Sequence, residues 1–355
     1  MPTNLQIVPF RGTIFDMKSS AETPIAFIKT ILNAYEQRGI DSAGALQATQ
    51  IAPSFLNDPN GRITASQLEN FTEIAMRELQ DEALGWFSKP LPWGTHGLLC
   101  RATLPSANLR VALIRWCRYH GLLVEDIGLK LEVTGEIATL TIHENRDLGP
   151  YREFCLVTTF RNIHGFACWL ADSRIPLIEA QFPHPKPPHA SAYDVMFRAP
   201  VRFSARQASL SFNASYLRLV VRRNDDDLRQ MLLRPLPLIV LQYRRDRLLS
   251  QLVRQAIRTR SLQFINAATL ASELNVSIRS LHRHLADEGM SLQKIKNEVR
   301  LEIAADQLTR TDRPIKQVAA SASFRNEASF IRAFRQWTGS SPGEFRRLAN
   351  QREIQ

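Results

Sequence analysis

The fold is decided by residues 266–347, which contain two related segments, NVSIRSLHRHLADEG at 275–289 and SFRNEASFIRAFRQWTG at 323–339. Each segment begins at a tight turn and continues as an amphipathic helix. Each also follows a shorter helix, predicted over 267–274 in the first case and from Pro314 in the second. Two helices joined by a short turn form a helix-turn-helix unit. The stretch therefore predicts two such units in an all-α domain.

The first unit has a residue suited to each part of this plan. Asn275 suits the turn, because asparagine tolerates the left-handed backbone that a tight turn needs. Ser277 is placed to cap the second helix, predicted over 278–288, and Gly289 to end it. The inner face of this helix is predicted to consist of Ile278, Leu281 and Leu285. Its outer face carries Arg279, Ser280, His282 and Arg283.

The second unit repeats the plan. Its turn falls at Ser323 and Phe324, and Asn326 is placed to cap a helix that continues to about Trp337. The inward residues of this helix are Phe330, Phe334 and Trp337, and the outward residues are Ser329, Arg332 and Arg335. Between the two units, an apolar stripe over 292–308 predicts one long connecting helix.

This part of the chain resembles the AraC/XylS family of bacterial transcription regulators. The residues that carry the resemblance are Leu270-Ala271, the run 277–285, Gly289, Arg300, Ala304-Ala305, Ile315, Val318-Ala319, Phe324, the run 329–339, Ser341-Pro342 and Phe345-Arg346. One position departs from the pattern. The family usually has glycine before the phenylalanine of the second turn, whereas this chain has Ser323, and serine has a steric cost at positive φ that glycine lacks. The resemblance implies a regulator that binds double-stranded DNA.

The first recognition helix offers a face for contact with bases. Arg279, His282 and Arg283 stand at i, i+3 and i+4, so they share one side of the helix. Arginine bonds bidentately to guanine, and histidine donates or accepts at a base edge. The alternative is a solvated basic face, and the family pattern favours DNA contact.

The second recognition helix presents Glu327, Ser329 and Arg332 on the corresponding face. For Glu327 two interpretations stay open: it accepts a hydrogen bond from cytosine, or it stabilises the helix N-terminus through the helix dipole. Four other residues are predicted to contact phosphate, which sets the register of the protein on DNA but carries no sequence information: Lys316, Arg325, Asn326 and Arg335.

Charge is distributed unevenly along the 355 residues. The whole chain has a formal net charge of +11, and residues 244–355 hold 20 Lys and Arg against 11 Asp and Glu. The front of the chain is therefore nearly neutral and the rear basic, as expected for a sensor joined to a phosphate-binding module. The alternative is that the basic surface only aids solubility, and the helix-turn-helix pattern favours the first interpretation. The sequence has neither a secretory leader nor a long apolar run, and its four cysteines are scattered, so we expect a cytoplasmic protein that does not enter membranes.

The front of the chain predicts an α+β domain, with helices and a small antiparallel sheet. After a loose lead-in over 1–23, the clearest features are a hairpin turning at Thr134-Gly135 and a long buried helix over 151–170. The predicted division is an effector-binding and dimerisation domain at 1–235, a linker and basic helix at 236–262, and the DNA-binding domain at 263–350. Three further expectations concern local structure: Ser106 caps a helix over 107–119, residues 84–97 form an irregular connector of the kind that lines ligand pockets, and the charged segment 222–234 is a linker.

The front domain resembles the arabinose-binding-like domain found in one branch of the same family. The matching residues are Gly85, Gly94, Leu113, Phe182, Phe197, Val201-Arg202-Phe203 and Leu217. The resemblance implies a small-molecule effector, a homodimer and a possible contact with RNA polymerase, and it leaves the effector unidentified. Six aromatic residues are candidates to line the effector pocket, although such residues also form ordinary cores: Trp86, Trp93, Trp116, Phe154, Phe166 and Trp169.

Other classes of protein are disfavoured. Cys117 with His120, and the histidines at 184 and 189, lack a second pair at zinc spacing, so we expect no metal site. Phosphate-binding, dinucleotide-binding and hydrolase motifs are absent, so we expect no cofactor and no catalytic residues. The competing hypothesis is an enzyme fused to a DNA-binding module, but the DNA-repair fusions that carry a similar module need a Pro-Cys-His-Arg sequence that this chain lacks. A non-specific architectural DNA protein is disfavoured because the two recognition helices differ in their outward residues.

Overall fold

The computed structural model describes residues 23–58, 60–233, 247–259, 266–274 and 276–352. The chain forms two compact units, Met1–Asp246 and Arg247–Gln355, here called the front unit and the rear unit. Several sequence-based predictions lie wholly or partly outside the described residues: almost all of the lead-in, the linker from 236 with both ends of the linker-and-basic-helix segment, and the turn residue Asn275.

The front unit combines helices with two sheets, and the predicted α+β class is confirmed. Its helices are α1 (Ile25–Gln37), α2 (Ala43–Ala48), α3 (Ala65–Glu78), α4 (Thr95–Thr103), α5 (Leu109–Leu123), α6 (Arg152–Ala171), α7 (Ser191–Phe197) and α8 (Asp225–Leu232). Its strands are β1 (Thr23–Pro24), β2 (Arg62–Ile63), β3 (Ile127–Thr134), β4 (Ile137–Glu144), β5 (Leu177–Gln181), β6 (Val201–Arg202) and β7 (Ala208–Asn213). Short 3₁₀ turns occupy Pro53–Asn57, Gly149–Tyr151 and Ala214–Arg218.

The larger sheet has five strands in the order β3-β4-β7-β5-β6. The predicted hairpin is confirmed: β3 and β4 pair from Thr134 with Ile137 to Ile127 with Glu144, and Gly135 takes φ +58° in the turn. The prediction of a purely antiparallel sheet needs one correction. β5 and β6 run parallel, because the connection between them crosses through α7 instead of turning back directly.

Helix α6 is the buried centre of the front unit, as the sequence predicted. Most of its side chains are buried, including Phe160, Phe166 and Leu170. A helix that is apolar on nearly every face is surrounded on nearly every face. Its position makes it the wall against which the other helices are arranged.

Two local predictions in the front unit are wrong. The cap of α5 is Asn108, whose side chain accepts from the Val111 N–H at 3.0 Å, whereas the Ser106 hydroxyl donates to the Thr103 carbonyl. The segment 222–234 is not simply a linker. It contains α8, where Asn224 and Asp227 form a capping box. Three aspartates in the first turn stabilise this helix through their attraction to the positive end of its dipole.

The rear unit is entirely helical in its described residues. Its helices are α9 (Leu248–Thr259), α10 (Ala267–Glu273), α11 (Ile278–Asp287), α12 (Leu292–Arg310), α13 (Ile315–Ser321), α14 (Glu327–Thr338) and α15 (Pro342–Arg352). The pairs α10–α11 and α13–α14 are the two predicted helix-turn-helix units, and α12 is the predicted connecting helix. The all-α class is therefore confirmed for this unit.

Helix α12 belongs to two separate hydrophobic cores. Its first half contributes Leu292, Ile295 and Val299 to the core under α10 and α11. Its second half contributes Ala304 and Leu308 to the core under α13 and α14. One continuous helix therefore holds both helix-turn-helix units, each by its own apolar contacts.

The described part of the predicted basic helix is α9, and its arginines are used inside the rear unit. Arg254 is only 8% exposed and pairs with Glu298 and, at 3.2 Å, with Glu302 of α12. Arg258 also pairs with Glu302. A buried guanidinium needs such partners, because an unpaired buried charge is strongly destabilising. These charges attach α9 to α12 and are not directed at phosphate.

Candidate nucleic-acid interface and ligand cavity

The first recognition helix, α11, is capped as the sequence predicted. The Ser277 hydroxyl accepts from the Ser280 N–H at 3.0 Å, and Leu281 and Leu285 are fully buried. Ser280 is half-buried, while three predicted DNA-contacting residues are exposed: Arg279, His282 and Arg283. The structure thus brings the predicted outward residues of α11 together on one solvent-facing side.

Ile278 is a correction to the sequence-based interpretation. It was expected on the inner face, but its side chain is 47% exposed. It lies seven residues before Leu285, so the two share nearly the same angle around the helix. The difference is axial: Ile278 is the first residue of α11, beyond the end of the core that covers Leu285. An exposed isoleucine therefore stands at the start of the candidate DNA-contacting helix.

The second recognition helix, α14, is also capped as predicted. The Asn326 side-chain oxygen accepts from the Ser329 N–H at 2.8 Å, and Phe330 and Phe334 are fully buried. Ser323 has φ +57°, so it takes the left-handed conformation in which the family usually has glycine. Ser329 is half-buried, and the other predicted DNA-contacting residues of this unit are exposed: Lys316, Arg325, Asn326, Glu327, Arg332 and Arg335.

Many of the exposed cations on these helices lack an acidic partner. Within the described residues, no ion pair within 4 Å involves Arg279, Arg283, Lys316, Arg325, Arg332 or Arg335. Elsewhere in the rear unit, arginines such as Arg254 and Arg310 pair with acidic residues of α12. The exposed cations on the two recognition helices, on α13 and in the turn before α14 are therefore available for a phosphate or a base.

The front unit contains a cavity of about 1150 Å³. Its walls come from α3, α4, α5, α6 and the connector that follows α3. Four of the six predicted aromatic residues line it: Trp86, Trp93, Trp116 and Phe154. The other two, Phe166 and Trp169, do not line it and are buried in the core, where their rings stack at 5.6 Å. Their position favours the core interpretation for that pair.

Two histidines in the cavity wall are held neutral. Burial lowers the pKa of both His96 and His120 to about 4, and both residues line the cavity. His96 lies 3.4 Å from the Asn162 side-chain nitrogen, and Asn162 also lines the cavity. His96, His120 and Asn162 are therefore neutral hydrogen-bonding groups of the cavity wall at neutral pH.

The connector that the sequence placed near a ligand pocket does line the cavity, and two carboxylates organise it. Asp81 is 1% exposed and accepts from the N–H groups of Ala83, Gly85 and Leu91, and it also pairs with Arg38 at 2.8 Å. Glu82 accepts from the N–H groups of Gly94 and His96 at 2.6 and 2.7 Å. The irregular backbone is thereby fixed, so the cavity wall is preorganised.

Sequence reasoning missed most of the polar cavity residues. His96 lies in α4, which was not predicted as a helix, and His120 and Asn162 lie on helices whose neighbouring residues gave no sign of a cavity. Residues 84–97 were the one signal, because they are rich in glycine, proline and tryptophan. The loop histidines at 184 and 189 were considered as metal ligands. They join instead a network in which His189 lies 2.6 Å from the Glu153 carboxylate and the Tyr193 hydroxyl donates to the same oxygen at 2.7 Å.

Two searches of the described residues gave negative results. No group of three His, Cys, Asp or Glu side chains is placed to hold a metal ion. No helix is both long and apolar enough to cross a bilayer.

Comparison with known protein families finds one match in the front unit and one in the rear unit. Residues 39–221 match the arabinose-binding domain of the AraC transcription regulator, a match that covers more than half of the chain. Residues 270–348 match a helix-turn-helix domain.

Individual relatives are transcription regulators. The chain is 28% identical over 324 residues to the ornithine utilization regulator of Pseudomonas aeruginosa. The matched region covers 91% of this chain and 96% of that protein. The regulator VqsM of the same species is 36% identical over 84 residues, or 24% of this chain and 26% of VqsM. The crystal structure of the transcriptional regulator CdpR, also from P. aeruginosa, is 19% identical, covers 91% of this chain and 98% of its own, and has a TM-score of 0.34.

Proposed function

The chain belongs to the AraC family of transcription regulators, and we propose that α11 and α14 bind one specific double-stranded DNA site under the control of a small molecule held by the front unit. The observation that carries this proposal is the set of exposed cations on the two recognition helices. They have no acidic partner among the described residues, whereas the arginines of α9 pair with α12. A phosphate backbone supplies the missing negative charge.

The two recognition helices are proposed to contact successive major grooves from one face of the DNA. Helix α12 has 19 residues and is therefore about 28 Å long, so it holds the two helix-turn-helix units apart as a rigid spacer. Contacts of α11 and α14 are then expected about one helical turn, roughly 10 base pairs, apart. Arg279, His282 and Arg283 serve the first half of the site, and Arg332 with Ser329 serves the second.

Binding-site selection on the full chain tests the assignment of roles. Arg283→Ala is expected to weaken binding by about 1–3 kcal/mol and to relax base preference in one half of the site, because a bidentate contact to guanine is lost. Arg332→Ala is expected to do the same in the other half. The two losses are expected to add, because the residues share no partner. If both substitutions weaken every sequence equally, these arginines hold phosphate and the assignment is wrong.

Lys316→Ala is the matched control for these substitutions. Lys316 is exposed on α13 and is assigned to phosphate. Its loss is expected to weaken all sequences alike and to reduce the slope of binding against salt concentration by about one unit. A change in base preference would contradict the phosphate role. Arg325, Asn326 and Arg335 are assigned the same role, although Asn326 also uses its side-chain oxygen to cap α14.

The front unit is proposed to bind the effector and to form a homodimer in the cytoplasm. The family match supports the first role, and the cavity of about 1150 Å³ gives a site for it. Sedimentation of the full chain without DNA is expected to show a dimer at micromolar concentration, and a monomer there would overturn the oligomeric proposal. Contact with RNA polymerase is proposed from the family match.

A further inference from the structure

We propose that the front-unit cavity takes an uncharged, largely apolar organic molecule with one or a few hydroxyl or carbonyl groups, and takes neither a sugar nor a charged amino acid. This inference rests on the proposed function, because it treats the cavity as the effector site. It goes further by assigning the chemical class of the ligand from the groups that line the cavity.

The buried walls of the cavity are apolar and aromatic. Phe27, Leu84, Trp86, Leu99, Trp116 and Phe154 all line it, and each is no more than 7% exposed. Walls of this kind favour a ligand with extended apolar or aromatic surface. A sugar carries a hydroxyl on almost every carbon, and each hydroxyl left without a partner against these walls would cost free energy. The walls therefore disfavour a sugar.

Several of the polar groups that line the cavity are neutral. They include His96, His120, Thr158 and Asn162, and burial lowers the pKa of both imidazoles to about 4, so both are uncharged at neutral pH. The Nδ1 atom of His120 is buried and has no hydrogen-bond partner among the residues that the structure describes. Neutral imidazole, hydroxyl and carboxamide groups donate to or accept from a hydroxyl or a carbonyl. They do not compensate the burial of a formal charge.

The carboxylates that line the cavity already have partners. Glu73 pairs with Arg77, Glu82 accepts from two backbone N–H groups, and Glu69 has an interaction of its own. An ammonium group of an amino acid would have to share these carboxylates with the partners they already have. The cavity therefore disfavours an amino acid with a charged side chain.

The arginines that line the cavity are either engaged or at its exposed part. Arg161 donates to the Met196 carbonyl at 2.6 Å, and Arg101 lies 3.7 Å from Asp225. Arg77 is exposed and lies 4.3 Å from the ring of Trp93. Arg198 is also exposed. A carboxylate ligand would have to keep its charge at this solvated part of the cavity, so the buried region selects for the uncharged part of a ligand.

Three probes with one aromatic body and different charges test the inference on the full chain. They are 2-naphthol, 2-naphthoate and 2-naphthylmethylammonium, with L-arabinose and L-ornithine as further arms. Binding is followed at pH 7 by tryptophan fluorescence, because Trp86, Trp93 and Trp116 line the cavity. The neutral probe is expected to have a dissociation constant at least about tenfold lower than either charged probe, and the sugar and the amino acid are expected not to bind. Tighter binding of a charged probe, of arabinose or of ornithine overturns the inference.

Cavity-filling variants locate the site. Thr158→Trp places a large side chain in the cavity and is expected to weaken binding of 2-naphthol by at least about tenfold. Val195→Trp, at an exposed position that also lines the cavity, is a second such variant in case the first does not fold. Thr30→Trp is the matched control, because Thr30 is a half-buried helical threonine that does not line the cavity. Equal effects of the cavity and control variants overturn the location.

DNA binding separates failure of this inference from failure of the proposed function. Site-specific binding of duplex DNA by the full chain is measured in the same samples, with and without the probes. If the DNA is bound and 2-naphthol is not, the assigned ligand class is wrong and the regulatory function stands. If no sequence is bound specifically, the proposed function fails, whatever the cavity binds.

Discussion

Ser323, in the turn of the second helix-turn-helix unit, has a backbone conformation that suits glycine better than serine. Its φ of +57° is left-handed, which costs an L-residue about 1–2 kcal/mol, partly offset by the lower chain entropy of serine relative to glycine. Ser323→Gly is therefore expected to raise the free energy of unfolding of the rear unit by about 0.5–1 kcal/mol, measured by chemical denaturation. Ser272→Gly, at an exposed position in the last turn of α10, is expected to change it in the opposite direction by about 0.5 kcal/mol. The same sign for both would contradict the strain at Ser323.

Asp81 shows how one buried side chain organises the cavity wall. It accepts three backbone N–H groups of the connector and pairs with Arg38. Asp81→Ala is expected to lower the free energy of unfolding of the front unit by about 3–5 kcal/mol, because Arg38 and the N–H groups lose their acceptor. Asp41→Ala, at an exposed aspartate that accepts one N–H, is expected to cost no more than about 1 kcal/mol in the same denaturation experiment. Similar costs for the two substitutions would show that burial of Asp81 contributes little.

At the scale of single elements, Ile278 gives α11 an exposed apolar side chain, whereas the sequence-based interpretation had placed this residue in the core. An exposed isoleucine at the start of a recognition helix matches the methyl group of thymine, which lies in the major groove. Ile278→Ala is expected to reduce the preference for thymine at one position of the selected site by about 1 kcal/mol and to leave the stability of the rear unit nearly unchanged. The check is site selection together with denaturation. A large loss of stability would return Ile278 to the core.

The elements that could be predicted from sequence are those whose signals are local. Ser277 and Asn326 cap their helices through N–H groups three residues away, and an apolar stripe continues from each cap. Helix α4 was missed because its cap is not local. The carboxylate of Glu82, more than ten residues earlier, accepts the N–H groups of Gly94 and His96. Helix α8 was missed although its signal was present, because its three acidic residues were interpreted as a linker instead of as a first helical turn.

The candidate sites differ in predictability for the same reason. The DNA-contacting faces follow from helical periodicity, because a capped helix with one apolar stripe fixes which residues face outward. The cavity is formed by several elements that are distant in sequence, and no periodicity shows which aromatic side chain faces it. Trp116 lines the cavity and Trp169 does not, although both are buried aromatic residues in helices. Only the tertiary arrangement distinguishes them.

At the scale of the whole molecule, the two units differ in how their histidines are held. Burial lowers the pKa of His96, His120 and His164 to about 4 in the front unit. In the rear unit, His282 and His284 are exposed. An unfolded chain binds protons at these three histidines near pH 6.5, whereas the folded front unit does so only near pH 4. Between these values the unfolded state binds more protons, so stability rises with pH.

Acidification from pH 7 to pH 5 is therefore expected to destabilise the front unit selectively. Below pH 6.5, the free energy of unfolding is expected to change by on the order of 1 kcal/mol per pH unit for each buried histidine. This slope reaches its full value by about pH 5 and disappears below about pH 4. Calorimetry of the full chain is expected to show two unfolding transitions. The transition temperature of the front unit should fall as the pH is lowered, and that of the rear unit should change little. His164→Gln is expected to reduce the slope by about one third, because it removes one of three such groups. His143→Gln, at an exposed position on β4, is the control and is expected to leave the slope unchanged. If the rear transition moves as far as the front one, the buried histidines are not the cause.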